Sequence, residues 1–433
     1  MLRSAQVVTR WCSTFLREVS PSTTALAPFS RGLESGFFIS DGGAGNVDIN
    51  CGMTATAPAP ATTLAHANVT NRVRFTSREA ADFVTDLKGE VNKWFEVTGK
   101  SDKANAAMVL KTVIILGTLI GSYLLLLTNS VSGWGAIGMV VLMGVAMAGT
   151  GFSIAHDALH GAYSNKPWVN TMLGGTFDLL GANGYMWQIT HNVIHHTYTN
   201  IQGIDEDLTV SPLLRLSPRS EWLPIHKFQQ WYAPLAYSMS TIFWAVAKDY
   251  KYFLAKDIGP FKDKKHPTGA VVWLVVSKLA YYGYALVLPL MLIQAPWWKI
   301  LLGFLAVHMI AGVILGVVFQ LAHVVEGTEY PLPDDTGNME HTWAVHEMLT
   351  TANFARKSKL ICWYVGGLNF QIEHHLFPNI PAWRYPQMAP RVREICERHG
   401  LPYHTGSLKS RFTSAMRRLV RFAFPRAPEA VAA

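Results

Sequence analysis

Trp134 to His160 reads WGAIGMVVLMGVAMAGTGFSIAHDALH, an uncharged apolar run as far as Ala155 that ends in two histidines four residues apart. The run has the length a helix needs to cross the hydrocarbon of a bilayer. A helix leaving the membrane with His156 and His160 at i and i+4 presents both imidazoles on one side. Alone, an HxxxH pair is a weak sign, and its surroundings decide what it means.

Three more runs of similar character lie outward from it: Thr112 to Thr128 upstream, then Ala270 to Ile293 and Ile300 to Val325 downstream. They form two close pairs joined by Asn129 to Gly133 and Gln294 to Lys299. A soluble core could bury four such helices, but length and pairing favour four membrane spans in two hairpins. The net charge of +8 is placed accordingly, with Lys248, Lys251, Lys256, Lys262, Lys264 and Lys265 in one loop and a basic tail from Arg391 to Arg426. Basic flanks beside apolar runs are an orientation signal rather than a nucleic-acid footprint. Both hairpin connections are almost free of Lys and Arg, so the chain ends and the long middle loop are expected on the cytoplasmic side or its organellar equivalent.

Two shorter stretches, Trp168 to Trp187 and Trp231 to Ala247, are interrupted by Asp178 and by Pro234, Ser238 and Ser240. Clusters that meet at one centre need an even number of crossings between them, so both stretches are read as interfacial. A further helix is expected from Thr76, capped by Thr76 or Ser77, with Phe83, Leu87, Val91 and Trp94 on one face and lying on the membrane surface.

The second span is only the first place where histidines gather. His191-Asn192-Val193-Ile194-His195-His196 repeats the i,i+4 pair and adds a third ring, the fourth run ends at His323, and Gln371-Ile372-Glu373-His374-His375 follows it. Any one of these could be a structural histidine satisfied by a carbonyl. Together, half of the sixteen histidines fall in four clusters on one side of the membrane, where like protonatable rings repel unless a metal holds them. So many imidazoles exceed what one tetrahedral zinc uses, and no thiolate is offered, because Cys12, Cys51, Cys362 and Cys396 form no CxxC pair. A nitrogen-rich dinuclear site follows, its metal left open among zinc, copper, iron and nickel. His308 sits roughly 22 Å up the fourth helix from His323 and is too far to join. His226, His266, His341, His399 and His404 lie in loops or tails. Asp157, Asn192, Asp205, Glu206, Asp207, Glu326 and Glu373, with His346, are candidates to fix imidazole tautomers from behind.

The boxes HDALH, HNVIHH and QIEHH, with two spans before the first and two more before the third, resemble those of the membrane fatty-acid desaturase superfamily. Gln371 in place of the first histidine of the third box is similar to the front-end desaturases, and HHTYTNIQGIDEDLTV and GGLNFQIEHHLFP are similar to bacterial linoleoyl-CoA-type desaturases. The resemblance covers about Val73 to His404. It implies an all-α integral-membrane fold whose cytosolic-side helical cap holds a di-iron site. It also implies two Fe ions on His156, His160, His191, His195, His196, His323, His374 and His375, with Gln371 as a ligand or a donor beside them. The implied reaction is introduction of a cis double bond into an acyl lipid or acyl-CoA, with O2 as co-substrate. That fits the chemistry required, since an unactivated methylene has neither an acidic proton nor a leaving group. Hydroxylation at the same centre and desaturation of a sphingolipid are the nearest alternatives. A bis-histidine haem carrier fits adjacent rings such as His195-His196 poorly, and a metal transporter would place ionisable groups along a mid-membrane path, where only His308 and Lys278 lie.

Residues 1 to 104 contain no HPGG haem motif, and the chain has no cysteine cluster or nucleotide-binding glycine fingerprint. Electrons are therefore expected from a separate donor, a cytochrome b5 or a ferredoxin with its reductase, steered by Lys262, Lys264 and Lys265. Arg3, Arg10 and Arg17 recur on one face of a possible mitochondrial-type transit helix, whereas the resemblance implies the endoplasmic reticulum. The organisation expected is a disordered tail over 1–72, the membrane domain over 73–405 and a basic tail over 406–433. The Asn68-Val69-Thr70 sequon would lie on the inner side and is read as chance.

Overall fold

The computed structural model describes residues 73–77, 81–208 and 212–425. The arginine-spaced start, the expected disordered stretch, the sequon and Cys12 and Cys51 lie outside the described residues. Among those described, four helices are long and apolar enough to cross a membrane: Ala106–Leu127, Gly133–Leu159, Thr268–Leu292 and Trp297–His323. They match the four runs to within a few residues. The first is capped by Asn105, whose side chain accepts from the Met108 N–H, and shows Val109, Leu110, Val113 and Ile114 outward.

Small residues set how the spans meet, as expected where lipid removes the hydrophobic drive between helices. A Cβ on Gly144 of the second span would lie 2.7 Å from the Ile310 Cβ of the fourth, so only glycine permits that approach. Gly316 likewise admits the ring of Tyr237 from the helix Gln229–Ser238. At the far end, Asn129 in the first hairpin turn donates to the Leu292 carbonyl at 2.9 Å and accepts from the Gln294 N–H at 2.7 Å. Both turns thus lie at one end of the bundle, and the histidine-bearing ends at the other.

Neither of the two ambiguous stretches is among the four, and each changes helical geometry along its length. Pro167–Gly174, Thr176–Leu179 and Gly184–Trp187 form one, and Gln229–Ser238, Ser240–Phe243 and Trp244–Lys248 the other. Trp168, Leu179, Trp231 and Leu235 stay exposed along them, as an interfacial position requires. Lys278 of the third span reaches them, pairing with Asp249 at 2.7 Å and donating to the Gly181 and Ala245 carbonyls.

One expectation changes here. The helix expected from Thr76 is described over Ala81–Thr98, and its start and cap fall outside the described residues. Its stripe of Phe83, Leu87, Val91 and Trp94 does not lie on a membrane, because Met388, Val392 and Ile395 of Tyr385–Arg398 share one buried cluster with it. The segment read as a basic tail contains a helix, Leu408–Phe422, with Leu419 and Phe422 buried. Arg418 of that helix donates to the Val325 and Thr328 carbonyls, and Thr405–Gly406 pairs in parallel with Asn353–Phe354.

Candidate metal centre

The second span does not run into its histidines as a plain α-helix. A π-helical turn over Gly151–Ala155 precedes His156, and a second, Gln188–His195, carries His191 and His195. Such turns are uncommon and gather at functional sites. His374 and His375 stand in the short helix Gln371–Leu376, and His323 is the last residue of the fourth span.

From these four places the imidazoles converge in two groups. His156, His160, His191 and His374 form one and His195, His323 and His375 the other, each with ligand nitrogens within 4.8 Å of one another. His196 stands between them, its ring centre 4.8 Å from His160, 4.5 Å from His374 and 4.4 Å from His375. All eight histidines expected at the centre are therefore together.

The outer nitrogens are anchored. His191 Nδ1–H donates to Asp207 at 2.8 Å, His195 to Asp205 at 3.0 Å and His156 to Asp157 at 3.2 Å. His375 donates to Glu347 at 2.7 Å, His323 to the Thr350 carbonyl at 3.3 Å and His374 to the Tyr385 hydroxyl at 3.2 Å. Tyr385 passes its own proton to the Ile380 carbonyl, 2.8 Å away, which leaves its oxygen free to accept. A donating Nδ1 fixes the tautomer and turns the Nε2 lone pair inward.

Inward, the arrangement is incomplete without a metal. Nε2 of His160, His191, His195 and His375 and both nitrogens of His196 are buried with no hydrogen-bond partner. Nε2 of His156 and Nε2 of His374 face each other at 3.2 Å. Orphaned buried polar atoms are costly, and so many pointing at one place are the signature of ligand atoms. Electrostatics agrees: burial pushes His191 down to about 3, and burial together with the neighbouring rings holds His160, His196, His374 and His375 well below the usual imidazole range. Neutral imidazoles are what a cation binds. His195 is the exception, since Asp205 outweighs its burial and raises it. Asp207, although buried, is held below the carboxylate range by Lys248, 3.2 Å away, and by His191. The donor set, nitrogen-rich and without thiolate, in two groups, fits two metal ions better than one tetrahedral zinc.

Of the expected supporting residues, Asp157, Asp205 and Asp207 are in place. Asn192 is not, because its amide donates to the Leu159 carbonyl at 2.9 Å. Glu373 turns away from the rings and accepts from Asn353 at 2.8 Å and from the Tyr403 hydroxyl. Glu206 accepts from Tyr252, and Glu326 pairs with Arg417 at the surface. His346 donates to the Thr199 carbonyl at 2.9 Å and touches no ligand ring. Gln371 is buried at the start of its helix, its amide donating to the Leu368 carbonyl at 2.6 Å. His308 is occupied by Thr241 and Tyr281, apart from the centre as expected. Sequence reasoning missed Glu347 and Tyr385. The first sits one residue after His346 on Trp343–Thr350, and no spacing rule tied it to His375.

Comparison with known proteins gives the same answer by another route. A family model described as fatty acid desaturase matches residues 132–407, which includes every one of the eight histidines. An sn-1 linoleoyl-lipid 6-desaturase of Arthrospira platensis is 35% identical over 341 residues, 78% of this chain and 90% of that protein. The protein of the same name from Synechocystis sp. is 34% identical over 77% of this chain and 92% of its own. An acyl-lipid (8-3)-desaturase B of Dictyostelium discoideum is 30% identical over 80% of this chain and 76% of its own. With four membrane helices, the histidine groups and this match, the chain belongs to the fatty acid desaturase family and is a membrane oxidoreductase of fatty-acyl chains.

Proposed function

We propose that the protein introduces a cis double bond into the acyl chain of a membrane lipid, on the carboxyl side of an existing double bond, using two iron ions and dioxygen. The relatives named as 6- and (8-3)-desaturases support the position, and the bilayer-facing spans support a lipid substrate. The observation that carries the reading is His196, wedged between two imidazole groups with both of its nitrogens buried and unpartnered.

When bound, the irons and dioxygen would supply an oxidant able to remove two hydrogens from adjacent methylenes, two outside electrons and two protons completing the conversion of O2 to two waters. The protein's share is position and exclusion. Asp157, Asp205, Asp207 and Glu347 hold four imidazoles in the tautomer that ligates, and Tyr385 and the Thr350 carbonyl hold two more. Trp187, stacked on His191 at 4.4 Å, and Phe319, beside His195 and His323, wall the centre against water. Beyond Trp187, Phe177, Met147, Gly151, Leu315 and Trp244 line a small, largely apolar crevice between the second and fourth spans.

The electron donor is a separate protein, a cytochrome b5 or a ferredoxin with its reductase. The membrane concerned, endoplasmic reticulum or mitochondrial, is read by fractionation. Reconstitution with each donor and mass spectrometry of the acyl products tests the proposal: an alkene two mass units lighter is expected, and an alcohol would reassign the centre as a hydroxylase.

A further inference from the structure

A larger cavity lies away from the apolar one, at the histidine-side end of the first span. It encloses about 320 Å³, and its lining includes Asn105, Lys111, Arg356, Lys359, Trp363 and Trp383. Three of these are cations, and no acidic residue lines it. Lys111 stands in the second turn of the first span, where its apolar run begins. It donates to the Trp363 carbonyl at 3.1 Å and has no carboxylate partner in reach of a salt bridge. Arg356 rests on the Tyr403 ring, 5.3 Å away, and donates to Thr405 rather than to an acid. Lys359 is exposed and forms no ion pair among the described residues. The Trp383 indole N–H is buried without an acceptor. Three cations with no acid in the lining, beside a buried indole N–H without an acceptor, describe a site for an anion.

Its surroundings say where that anion comes from. Leu360, 76% exposed, and Trp363, 44% exposed, face outward on Lys359–Tyr364, beside the exposed Val109, Leu110 and Val113 of the first span. Tryptophan beside apolar exposed surface marks the headgroup level of a bilayer. The inner wall is Gly366, whose positive φ of 72° and closeness to the second span exclude a side chain: a Cβ there would lie 2.9 Å from the Phe152 carbonyl. The cavity therefore opens sideways to lipid and backs onto the helix that carries His156.

We propose that this cavity holds the phosphate of an anionic membrane phospholipid, and that the acyl chain oxidised at the histidines is carried on such a lipid rather than on coenzyme A. The proposal rests on the desaturase reading and names its substrate class. Its size, at the small end of ligand cavities of about 300–1,000 Å³, suits a phosphoglycerol head better than a nucleotide thioester.

The test is native mass spectrometry of the full-length, metal-loaded protein titrated in detergent with phosphatidylglycerol, oleoyl-coenzyme A or inorganic phosphate. One phosphatidylglycerol retained per chain is expected. Lys359→Glu, an exposed change that leaves the fold alone, and Lys111→Gln should each weaken retention roughly fivefold or more. Equal retention by wild type and Lys359→Glu, or preferential retention of oleoyl-coenzyme A, or of phosphate alone, overturns the assignment. Because the binding measurement needs no turnover, lipid retained without any alkene formed would count against the desaturase reading and leave the site standing.

Discussion

Glu347 holds the Nδ1 of His375 at 2.7 Å although the two stand in different helices, 28 residues apart. Burial pushes the Glu347 carboxyl well above its usual range, and Thr199 donates to the same oxygen at 2.9 Å. Removing such an outer partner costs about 10–100-fold in metal affinity or activity. Glu347→Ala should lose activity by that factor with its metal content lowered, whereas Glu347→Gln, which can still accept from the imidazole, should recover much of it. Metal analysis of the purified variants alongside product assay checks this, and an Ala variant with full metal and full activity would show that Glu347 is only a buried structural acid.

His195 and His196 should separate from the supporting residues in severity. We expect close to two irons per folded chain, and His195→Ala should abolish activity while leaving the four spans inserted. Elemental analysis with protease protection of membranes is the measurement. Stoichiometric zinc together with an active His195→Ala protein would remove the di-iron reading.

Topology gives a prediction independent of chemistry. Cysteines placed at Lys256 and Lys409 should be labelled from one side of the membrane, and cysteines at Val131 and Pro296 from the other. The hydrogen bonds from Asn129 to Leu292 and Gln294 already join the two hairpin turns. Labelling that puts Val131 and Pro296 on opposite faces would break the paired-hairpin arrangement.

The Lys278–Asp249 pair, 2.7 Å apart with both side chains buried, should behave as buried ion pairs do. Breaking one side leaves an uncompensated charge and costs about 3–5 kcal/mol, while replacing both partners by apolar residues of similar size is far milder. Thermal unfolding in detergent should rank Lys278→Met below the Lys278→Met/Asp249→Leu double variant. If the double variant is the less stable of the two, Asp249 stabilises the fold through its other partner, the Trp244 indole N–H that donates to it at 3.1 Å.

What the sequence made readable was whatever repeats at short range. Apolar run length placed the spans, and HxxxH spacing marked four of the eight converging histidines directly, His156, His160, His191 and His195. His323 stood at the end of the fourth run, and the interfacial stretches followed from parity, since only an even number of crossings lets the clusters meet. The residues that escaped are those whose role is set by contact across the fold. Glu347 and Tyr385 carry no local pattern linking them to His375 and His374. Asn192 and Glu373 failed for the opposite reason: each adjoins a ligand in sequence, but one residue along a helix is about 100° around it, enough to aim the side chain elsewhere. The helix Ala81–Thr98 showed its stripe plainly, yet an amphipathic stripe does not say whether lipid or another helix will cover it.

The π-helical turn at Gly151–Ala155 divides the second span into two segments of different angular phase. Before it, the register is set by the meeting of Gly144 with Ile310; after it, His156 and His160 answer to the metal centre. One inserted residue thus lets a single rod serve two masters, bilayer packing and ligand aim, without compromise between them. Straightening that turn to α-helix at its present length would swing both imidazoles by about 100°, so a chain still threaded through the membrane would have its first box facing the wrong way.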